Sequence, residues 1–237
     1  MDPTSSASII KVEGVEIRRI DDVLIREQEV VVRVEGRDIL RTVCSPGGGR
    51  ELAYGHLASE GWIGSPNDVD EVLLDPGSAN ISVRLRERCV MPRCEPAPVE
   101  SDYTVRTADV LSAARSAEAE AKLFRATGGT HVAVVLSADG RRAAAEDISR
   151  TCALEKALGA ALLAGADLRS SILFLTSRIP RSFVRKAARV GIPIVAAVSA
   201  PTFEAVEEAE RLGICLCGFV RGDRLNAYSR PSRVGLR

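Results

Sequence analysis

The sequence predicts an α/β protein, with a three-layer α/β/α domain from about residue 106 onward and a β-rich part before it. Two observations carry this prediction. The C-terminal half repeats a short apolar strand followed by an amphipathic helix, and continuously apolar strands are typical of parallel sheets covered on both faces. The N-terminal part instead has β-branched runs separated by glycine turns. We therefore expect a division into residues 1–105 and residues 106–237.

Composition limits the function classes. Hydrophobic residues make up 46% of the 237 residues, which is enough for a substantial core. Lys+Arg and Asp+Glu both number 32, and this balance argues against a general nucleic-acid-binding protein. No apolar run approaches the roughly 18 residues of a membrane span, and the start of the chain lacks signal-peptide features. The six cysteines are therefore expected to be reduced thiols of a cytoplasmic protein.

The N-terminal part contains β structure over residues 8–45, with a hairpin that turns at Gly36. Helical spacing over residues 47–62 predicts a helix that ends at Gly61. Two short strands are expected at residues 70–75 and 79–87.

The second part begins with an expected helix from Thr107 to Arg125. Its predicted apolar stripe consists of Val110, Leu111, Ala114, Ala117, Ala121 and Phe124. A hairpin turning at Asp139-Gly140 and an Ala-rich helix follow. The repeated strand–helix units come next, and the last expected strand covers residues 215–220.

Polar turns follow three consecutive strands of the predicted parallel sheet, at residues 176–178, 199–202 and 221–224. Ligands of open α/β sheets bind at this edge, and two of the turns open a helix whose free N–H groups suit an anion. Arginines add bidentate phosphate contacts, and glycine allows close approach of the backbone. These turns favour a phosphate-bearing, nucleotide-like ligand, although helix-starting serines and solvated arginines are an equally open explanation. The candidate residues are Ser177, Arg178, Ser199, Arg221, Gly222 and Arg224.

A second candidate segment enters the predicted strand before Asp139. Thr127, Gly128, Gly129 and His131 either contribute to the same ligand site or form a helix C-cap followed by a strand. The sequence leaves both interpretations open.

Cys89 and Cys94 lie in a basic, proline-rich stretch. Zinc would need a second ligand pair, which the sequence lacks, so no metal site is expected. A structural disulfide does not fit a reduced compartment. Two inert thiols remain one interpretation, but neighbouring arginines favour thiolates, and a thiolate in an exposed loop suits sulfur or redox chemistry. The other four cysteines are interpreted as packing or unassigned residues.

Five stretches carry a resemblance to a known family: "ELAYGHLASEGWI", "TGGTHVA", "ED-I-SR", "SRIPRSFVRKAARVGIPIVAAVSAPT" and "GFVRGDRLNAYS". Together they resemble the formate dehydrogenase accessory sulfurtransferases of the FdhD/NarQ family, over nearly the whole chain after about residue 15. The resemblance implies a cytidine-deaminase-like α/β/α core with an added β subdomain. It does not imply a deaminase, because the zinc signatures of deaminases are absent.

The resemblance also implies a function and partners. Members accept sulfur from a cysteine desulfurase as a cysteine persulfide. They pass it to the molybdenum or tungsten pterin guanine dinucleotide cofactor (molybdopterin guanine dinucleotide in the molybdenum case) of formate dehydrogenase. A guanine nucleotide-type ligand is therefore expected, and a homodimer is compatible with the sequence. Neither nucleic acid nor a membrane is an expected partner.

The resemblance assigns residues to these roles. Cys89 is the expected sulfur carrier and Cys94 its helper. The cofactor-binding segment, placed after the last strand, is expected to consist of Phe219, Val220, Arg221, Gly222, Asp223 and Arg224.

Three departures keep an alternative open. The cysteine spacing is Cys-x₄-Cys rather than Cys-x-x-Cys, Thr151 and Cys152 replace His and Asn, and His56 stands where an aromatic residue is usual. The alternative is a non-catalytic molybdopterin-cofactor-binding chaperone, or a paralogue that serves another molybdoenzyme.

Overall fold

The computed structural model describes residues 2–75, 79–86 and 95–236. Its twelve strands within these ranges are β1 (Thr4–Glu13), β2 (Glu16–Ile25), β3 (Gln28–Val34), β4 (Arg37–Cys44), β5 (Val69–Leu74), β6 (Ile81–Leu85), β7 (His131–Ser137), β8 (Arg142–Asp147), β9 (Ser171–Leu175), β10 (Ile194–Ala197), β11 (Cys215–Arg221) and β12 (Arg224–Ser229). The α-helices there are α1 (Gly49–Glu60), α2 (Thr107–Glu120), α3 (Lys122–Thr127), α4 (Arg150–Leu163), α5 (Arg181–Arg189) and α6 (Phe203–Leu212).

The strands form three sheets. β1 and β2 form an antiparallel ribbon, and the N-terminal sheet has the order β4-β3-β6-β5. The core sheet has the order β12-β11-β10-β9-β7-β8. β9, β10 and β11 are parallel to one another, as the strand–helix repeat predicts, whereas β7, β8 and β12 run antiparallel to their neighbours.

Helices cover both faces of the core sheet, which confirms the three-layer prediction. One face packs against α4, α5 and α6, and the other packs against α2. Every residue of β9 and β10 is buried. Because apolar side chains on both pleats find a helical layer, these strands are continuously apolar instead of alternating.

α4 is buried on two sides, since it lies between the core sheet and α1. α1 in turn packs under the N-terminal sheet. The two helices cross at Gly55 and Gly159, where a Cβ on Gly159 would lie 1.9 Å from the Glu51 carbonyl oxygen. Glycine is therefore required for the backbones to approach this closely. The expected division between residues 105 and 106 stays a prediction.

The expected helix from Thr107 to Arg125 is wrong in one respect: it is two helices, α2 and α3. The chain breaks at Ala121, with φ −70° and ψ 53°. The Glu146 carboxylate, on β8, accepts hydrogen bonds from the backbone N–H groups of Leu123 and Phe124 and so caps a new helix start. Phe124 is consequently half exposed instead of lying in the buried stripe.

The second correction concerns residues 219–224, which do not follow the last strand. Residues 219–221 end β11, Gly222 and Asp223 form the turn, and Arg224 begins β12, a strand that the sequence patterns do not predict. Gly222 adopts a left-handed φ of 59° at its turn. Phe219 has φ 52° within a register shift between Gly218 and Arg221, an uncommon conformation for a residue with a side chain.

No helix in the part of the chain that the structure describes is long and apolar enough to cross a membrane.

Candidate functional site

A cavity of about 530 Å³ opens at the edge where β9, β10 and β11 end. It lies between the core sheet and the α2 and α3 side. β7 runs antiparallel to β9 and therefore begins at this edge. The residues that line the cavity are Leu111, Ala114, Arg115, Glu118, Ala121, Phe124, Thr130, His131, Val132, Thr176, Val198, Val220, Arg221 and Gly222.

Four of the residues predicted from sequence line this cavity: His131, Val220, Arg221 and Gly222. The parallel strands bring Val220 and Arg221 to the edge, and the β7 start brings His131. Sequence positions about ninety residues apart thus meet at one wall of the cavity.

The other predicted residues do not line it. The buried Ser177 hydroxyl donates to the Arg178 carbonyl oxygen (3.1 Å), and the Thr127 hydroxyl donates to the Leu123 carbonyl oxygen (2.8 Å). Ser199 accepts the Phe219 N–H through its backbone. The predicted residues outside the cavity lining are Thr127, Gly128, Gly129, Ser177, Arg178, Ser199, Phe219, Asp223 and Arg224.

Gly128 fits the helix-cap interpretation. It has φ 68°, and its N–H donates to the Phe124 carbonyl oxygen at the end of α3 (2.7 Å). The helix cap therefore accounts for a glycine at position 128, and no ligand contact is needed to explain it. His131, three residues later, does line the cavity.

The charges at the edge favour an anionic ligand. Burial, together with the positive charges of Arg150 and Arg178, holds the pKa of His131 below its usual value. The Arg221 Nε donates to the Val198 carbonyl oxygen (3.1 Å), which orients the exposed guanidinium beside the cavity. A neutral imidazole and an oriented guanidinium together provide hydrogen-bond donors without a large desolvation cost.

Sequence reasoning missed the contribution of α2. Arg115 and Glu118 lie on the polar flank of the α2 stripe, and only the cavity shows that this flank lines the candidate site. The Thr176 hydroxyl accepts the Val132 N–H (2.9 Å) and fixes the β7–β9 register at the cavity wall. No motif marks Arg115 or Glu118, whereas Thr176 belongs to the polar turn at residues 176–178 that the sequence predicts at this edge.

The adjacent acidic residues of β8 support the site without lining it. Glu146 accepts the Thr130 hydroxyl (2.6 Å), in addition to capping α3. Asp147 points to the other side of the strand, where it accepts the Lys156 ammonium (2.7 Å) and the Ser149 N–H (2.8 Å). The pair therefore fixes one helix start on each face of the sheet.

A second polar cluster lies between α1, α4 and α5. Ligand atoms of His56, Glu60 and Glu155 lie within 4.8 Å of one another. The Lys186 ammonium already lies among them, 2.7 Å from Glu155, and also pairs with Glu60. We interpret this cluster as a buried ion network, because a lysine fills the position that a metal cation would take.

The Glu155 carboxylate shows how the network is balanced. Burial opposes its charge, yet the His56 hydrogen bond (3.0 Å) and the Lys186 ammonium hold its pKa below the usual value. Arg189 adds a second cation on Glu60, at 3.0 Å. The arrangement is a structural contact between helices, and it faces away from the cavity.

Cys89 and Cys94 lie outside the described residues. Both flanks of their segment are anchored. β6 ends before Arg86, whose N–H donates to the Asp68 carbonyl oxygen (2.9 Å). On the other side, the Glu95 carboxylate pairs with Arg185 on α5 (2.8 Å). The chain on either side of the segment thus contacts the N-terminal sheet region and α5.

Comparison with known proteins decides the family. The FdhD/NarQ family matches residues 25–93 and 87–235, and the two ranges overlap in the cysteine segment. The chain belongs to the FdhD/NarQ family. The matched ranges include the cavity-lining residues and both candidate cysteines.

Individual relatives agree with this membership. The sulfur carrier protein FdhD of Methanothermobacter thermautotrophicus is 33% identical, covering 92% of this chain and 94% of the relative. The protein of the same name from Shouchella clausii is 30% identical over 98% and 97% of the two chains. A crystal structure assigned to a formate dehydrogenase accessory protein from Desulfotalea psychrophila superposes with a TM-score of 0.87, at 26% identity, and covers 98% of this chain and 99% of the other.

Proposed function

We propose that this FdhD/NarQ protein is a sulfur carrier in the maturation of formate dehydrogenase. The observation that carries the proposal is the end-to-end similarity to proteins named sulfur carrier protein FdhD, in a chain that retains two cysteines between anchored flanks. Sulfur carriage needs reduced thiols, so the proposal includes a cytoplasmic location.

The proposed chemistry is a thiolate exchange. The Cys89 thiolate attacks the outer sulfur of a persulfide on a cysteine desulfurase. A new S–S bond forms on Cys89, the desulfurase S–S bond breaks, and the desulfurase thiolate leaves with the electron pair. Neighbouring arginines favour the thiolate of Cys89, and Cys94 assists as a second thiol.

The client in this proposal is the molybdenum or tungsten pterin guanine dinucleotide cofactor, bound as substrate. The apolar cavity walls suit a base or pterin ring, while Arg221 and His131 supply donors for phosphate oxygens. Gly222 allows the backbone to approach the ligand closely. The cavity and these donors support a nucleotide-type ligand.

Two measurements test the two halves of the proposal. The first is mass spectrometry of the protein after incubation with a cysteine desulfurase and cysteine, which should show addition of one sulfur atom to the cysteine segment. The second is calorimetric titration with GDP, which should show saturable binding. GDP binding without sulfur addition would replace the carrier with a non-catalytic cofactor-binding chaperone, and failure of both would overturn the proposal.

A further inference from the structure

The ribbon formed by β1 and β2 stands apart from the two larger sheets. Its strands pair with each other over their full lengths. At the base of the ribbon, β2 packs against α3, and the Ile25 side chain lies close to Gly129. Gly14 and Val15 close the hairpin at the far end, or tip, where Gly14 has the positive φ (64°) that a two-residue hairpin loop requires.

The outer half of the ribbon is not covered by the rest of the described chain. All residues from 10 to 19 are exposed. Four of them are β-branched and apolar, with exposed fractions of 54% (Ile10), 62% (Val12), 100% (Val15) and 71% (Ile17). A two-stranded ribbon by itself is at best marginally stable in water, and contiguous exposed apolar side chains are typical of an interaction surface. We therefore expect a partner to cover this half.

The two faces of the ribbon differ in their charges. Because directly opposed residues of paired strands share a face, one face carries four charged side chains near the tip: Lys11, Glu13, Glu16 and Arg18. These side chains pair among themselves. Lys11 lies 2.8 Å from Glu13, and Arg18 contacts both glutamates. This charged face needs no partner and suits contact with water.

The opposite face, called here the apolar face, has charges of another kind. It consists of Ser6, Ser8, Ile10 and Val12 on β1 and of Ile17, Arg19, Asp21 and Val23 on β2. Arg19 and Asp21 are both exposed, and within the described part of the chain neither takes part in an ion pair. Two such charges of opposite sign, among apolar side chains, match a partner that offers the complementary charges at the same spacing.

The apolar face is complementary to a second copy of itself. From base to tip, its β2 side chains are apolar (Val23), acidic (Asp21), basic (Arg19) and apolar (Ile17). A second ribbon can lie antiparallel on the first, with a two-fold axis between the levels of the two charged residues. Each acidic side chain then meets a basic one, and each apolar side chain meets an apolar one. Two-fold symmetry is also the commonest symmetry of protein dimers.

The β1 side of the apolar face fits the same arrangement by size. The rotation sets Ser8 against Ile10 of the other copy. It likewise sets Ser6 against Val12. A small side chain faces a larger one in both contacts, which lets the two ribbons approach to the separation of about 10 Å at which sheets pack.

We propose that two copies of this chain form a dimer through the apolar faces of their ribbons, with Arg19 of each copy paired with Asp21 of the other. The face extends from Ser6 to Val12 on β1 and covers roughly 24 by 10 Å, well below the about 800 Å² that each partner contributes to a standard interface. The dimer is therefore weak, with an expected Kd on the order of 10–100 μM. It depends on the ribbon alone and is independent of the proposed sulfur transfer.

Analytical ultracentrifugation of the full chain, from a few to several hundred micromolar, tests the dimer. The unchanged protein is expected to shift from monomer to dimer over this range. Arg19→Asp and Asp21→Arg should each weaken the dimer at least about tenfold, because like charges then oppose each other across the axis. Asp22→Arg is the matched control, since it makes the same change on the opposite face and should dimerise as the unchanged protein does. An unchanged protein that stays monomeric, or a dimer that either charge variant retains in full, would overturn the proposal.

A mixture of the two charge variants tests the pairing itself. Combining the Arg19→Asp and Asp21→Arg proteins restores an opposite-charge pair at both contacts. A heterodimer should therefore form with an affinity close to that of the unchanged protein, although each variant alone is monomeric in the same range. A fluorophore on one variant makes the heterodimer visible during sedimentation, and circular dichroism checks beforehand that both variants are folded. A mixture that remains monomeric would overturn the pairing of Arg19 with Asp21.

Discussion

The two faces of the core sheet differ in how closely they are covered. On one face, α4, α5 and α6 pack tightly against the sheet. α1 packs on α4 with a backbone separation that only glycine permits at the crossing. On the other face, α2 and α3 leave a cavity of about 530 Å³ beside His131 and Arg221. The closed face holds the molecule together, and the open face leaves polar groups accessible to a ligand.

This difference predicts separable effects of substitution. Changes on the closed face should lower the free energy of unfolding. Changes on the open face should leave folding intact and alter ligand affinity, since exposed side chains contribute little to stability.

The largest effect is expected from Gly159→Ala. The new methyl group would overlap the Glu51 carbonyl oxygen and force α1 away from α4. We expect a loss of at least about 3 kcal/mol in the free energy of unfolding, even though alanine is the better helix former. Urea denaturation measures this loss. Gly64→Ala is the control. A Cβ at this position would lie 3.7 Å from the nearest atom, the Asp68 Oδ2, so the substitution should not destabilise the protein. A stable Gly159→Ala protein would contradict the close crossing.

Lys186→Met tests the buried ion network with the next largest effect. Removing the ammonium leaves Glu155 buried without its cation, so a loss of about 3–5 kcal/mol is expected. Arg185→Met, one position earlier on α5, removes ion pairs with the exposed Glu95 and with Glu208, which keeps Arg211 at 2.7 Å, and should cost less than about 1 kcal/mol. Similar losses in the free energy of unfolding from both variants would show that the buried network stabilises the protein no more than the Arg185 ion pairs do.

Arg221→Ala should separate binding from stability on the open face. Loss of a charged hydrogen bond to phosphate is expected to reduce GDP affinity by about 1.5–3 kcal/mol, with unfolding unchanged. Arg141→Ala, in the β7–β8 turn at the opposite edge of the sheet, is the matched control and should bind normally. Arg224→Ala sharpens the result, since a comparable loss there means that the ligand extends past Gly222. Unchanged GDP affinity in both Arg221→Ala and Arg224→Ala would contradict binding of the nucleotide in this cavity.

The smallest effect concerns the protonation of His131. Its lowered pKa means that the unfolded chain takes up this proton first as the pH falls. The His131 contribution to stability is therefore complete above about pH 6.5 and declines below it. NMR titration should give a pKa below 6.5, and bound GDP should raise it by adding nearby negative charge. A pKa at or above 6.5 without ligand would contradict the environment described for this side chain.

Local patterns explain which parts of the fold were predictable. The apolar runs of β9 and β10, the hairpin at Gly36 and the helix end at Gly61 each depend on neighbouring residues, and the structure confirms them. The break at Ala121 depends on Glu146, a strand residue distant in sequence, so helical periodicity could not reveal it.

The candidate site was predictable in part for the same reason. The strand-end rule places Arg221 and Gly222 at the ligand edge from sequence alone. It gives no information on Arg115, because a polar helix flank has the same appearance whether it faces solvent or a cavity. The sequence could not reveal the Lys186 network either, since Lys186 on α5 pairs with residues of two other helices, α1 and α4.

Sulfur loading of single-cysteine variants tests the central claim most directly. Cys89→Ala, Cys94→Ala and the unchanged protein are each incubated with a cysteine desulfurase and cysteine, and bound sulfur is measured by mass spectrometry. If Cys89 is the carrier, Cys89→Ala takes up no sulfur in the cysteine segment, while Cys94→Ala takes up a reduced amount. Normal loading of both variants would contradict sulfur carriage through this pair, and normal loading of Cys89→Ala alone would reverse the two roles.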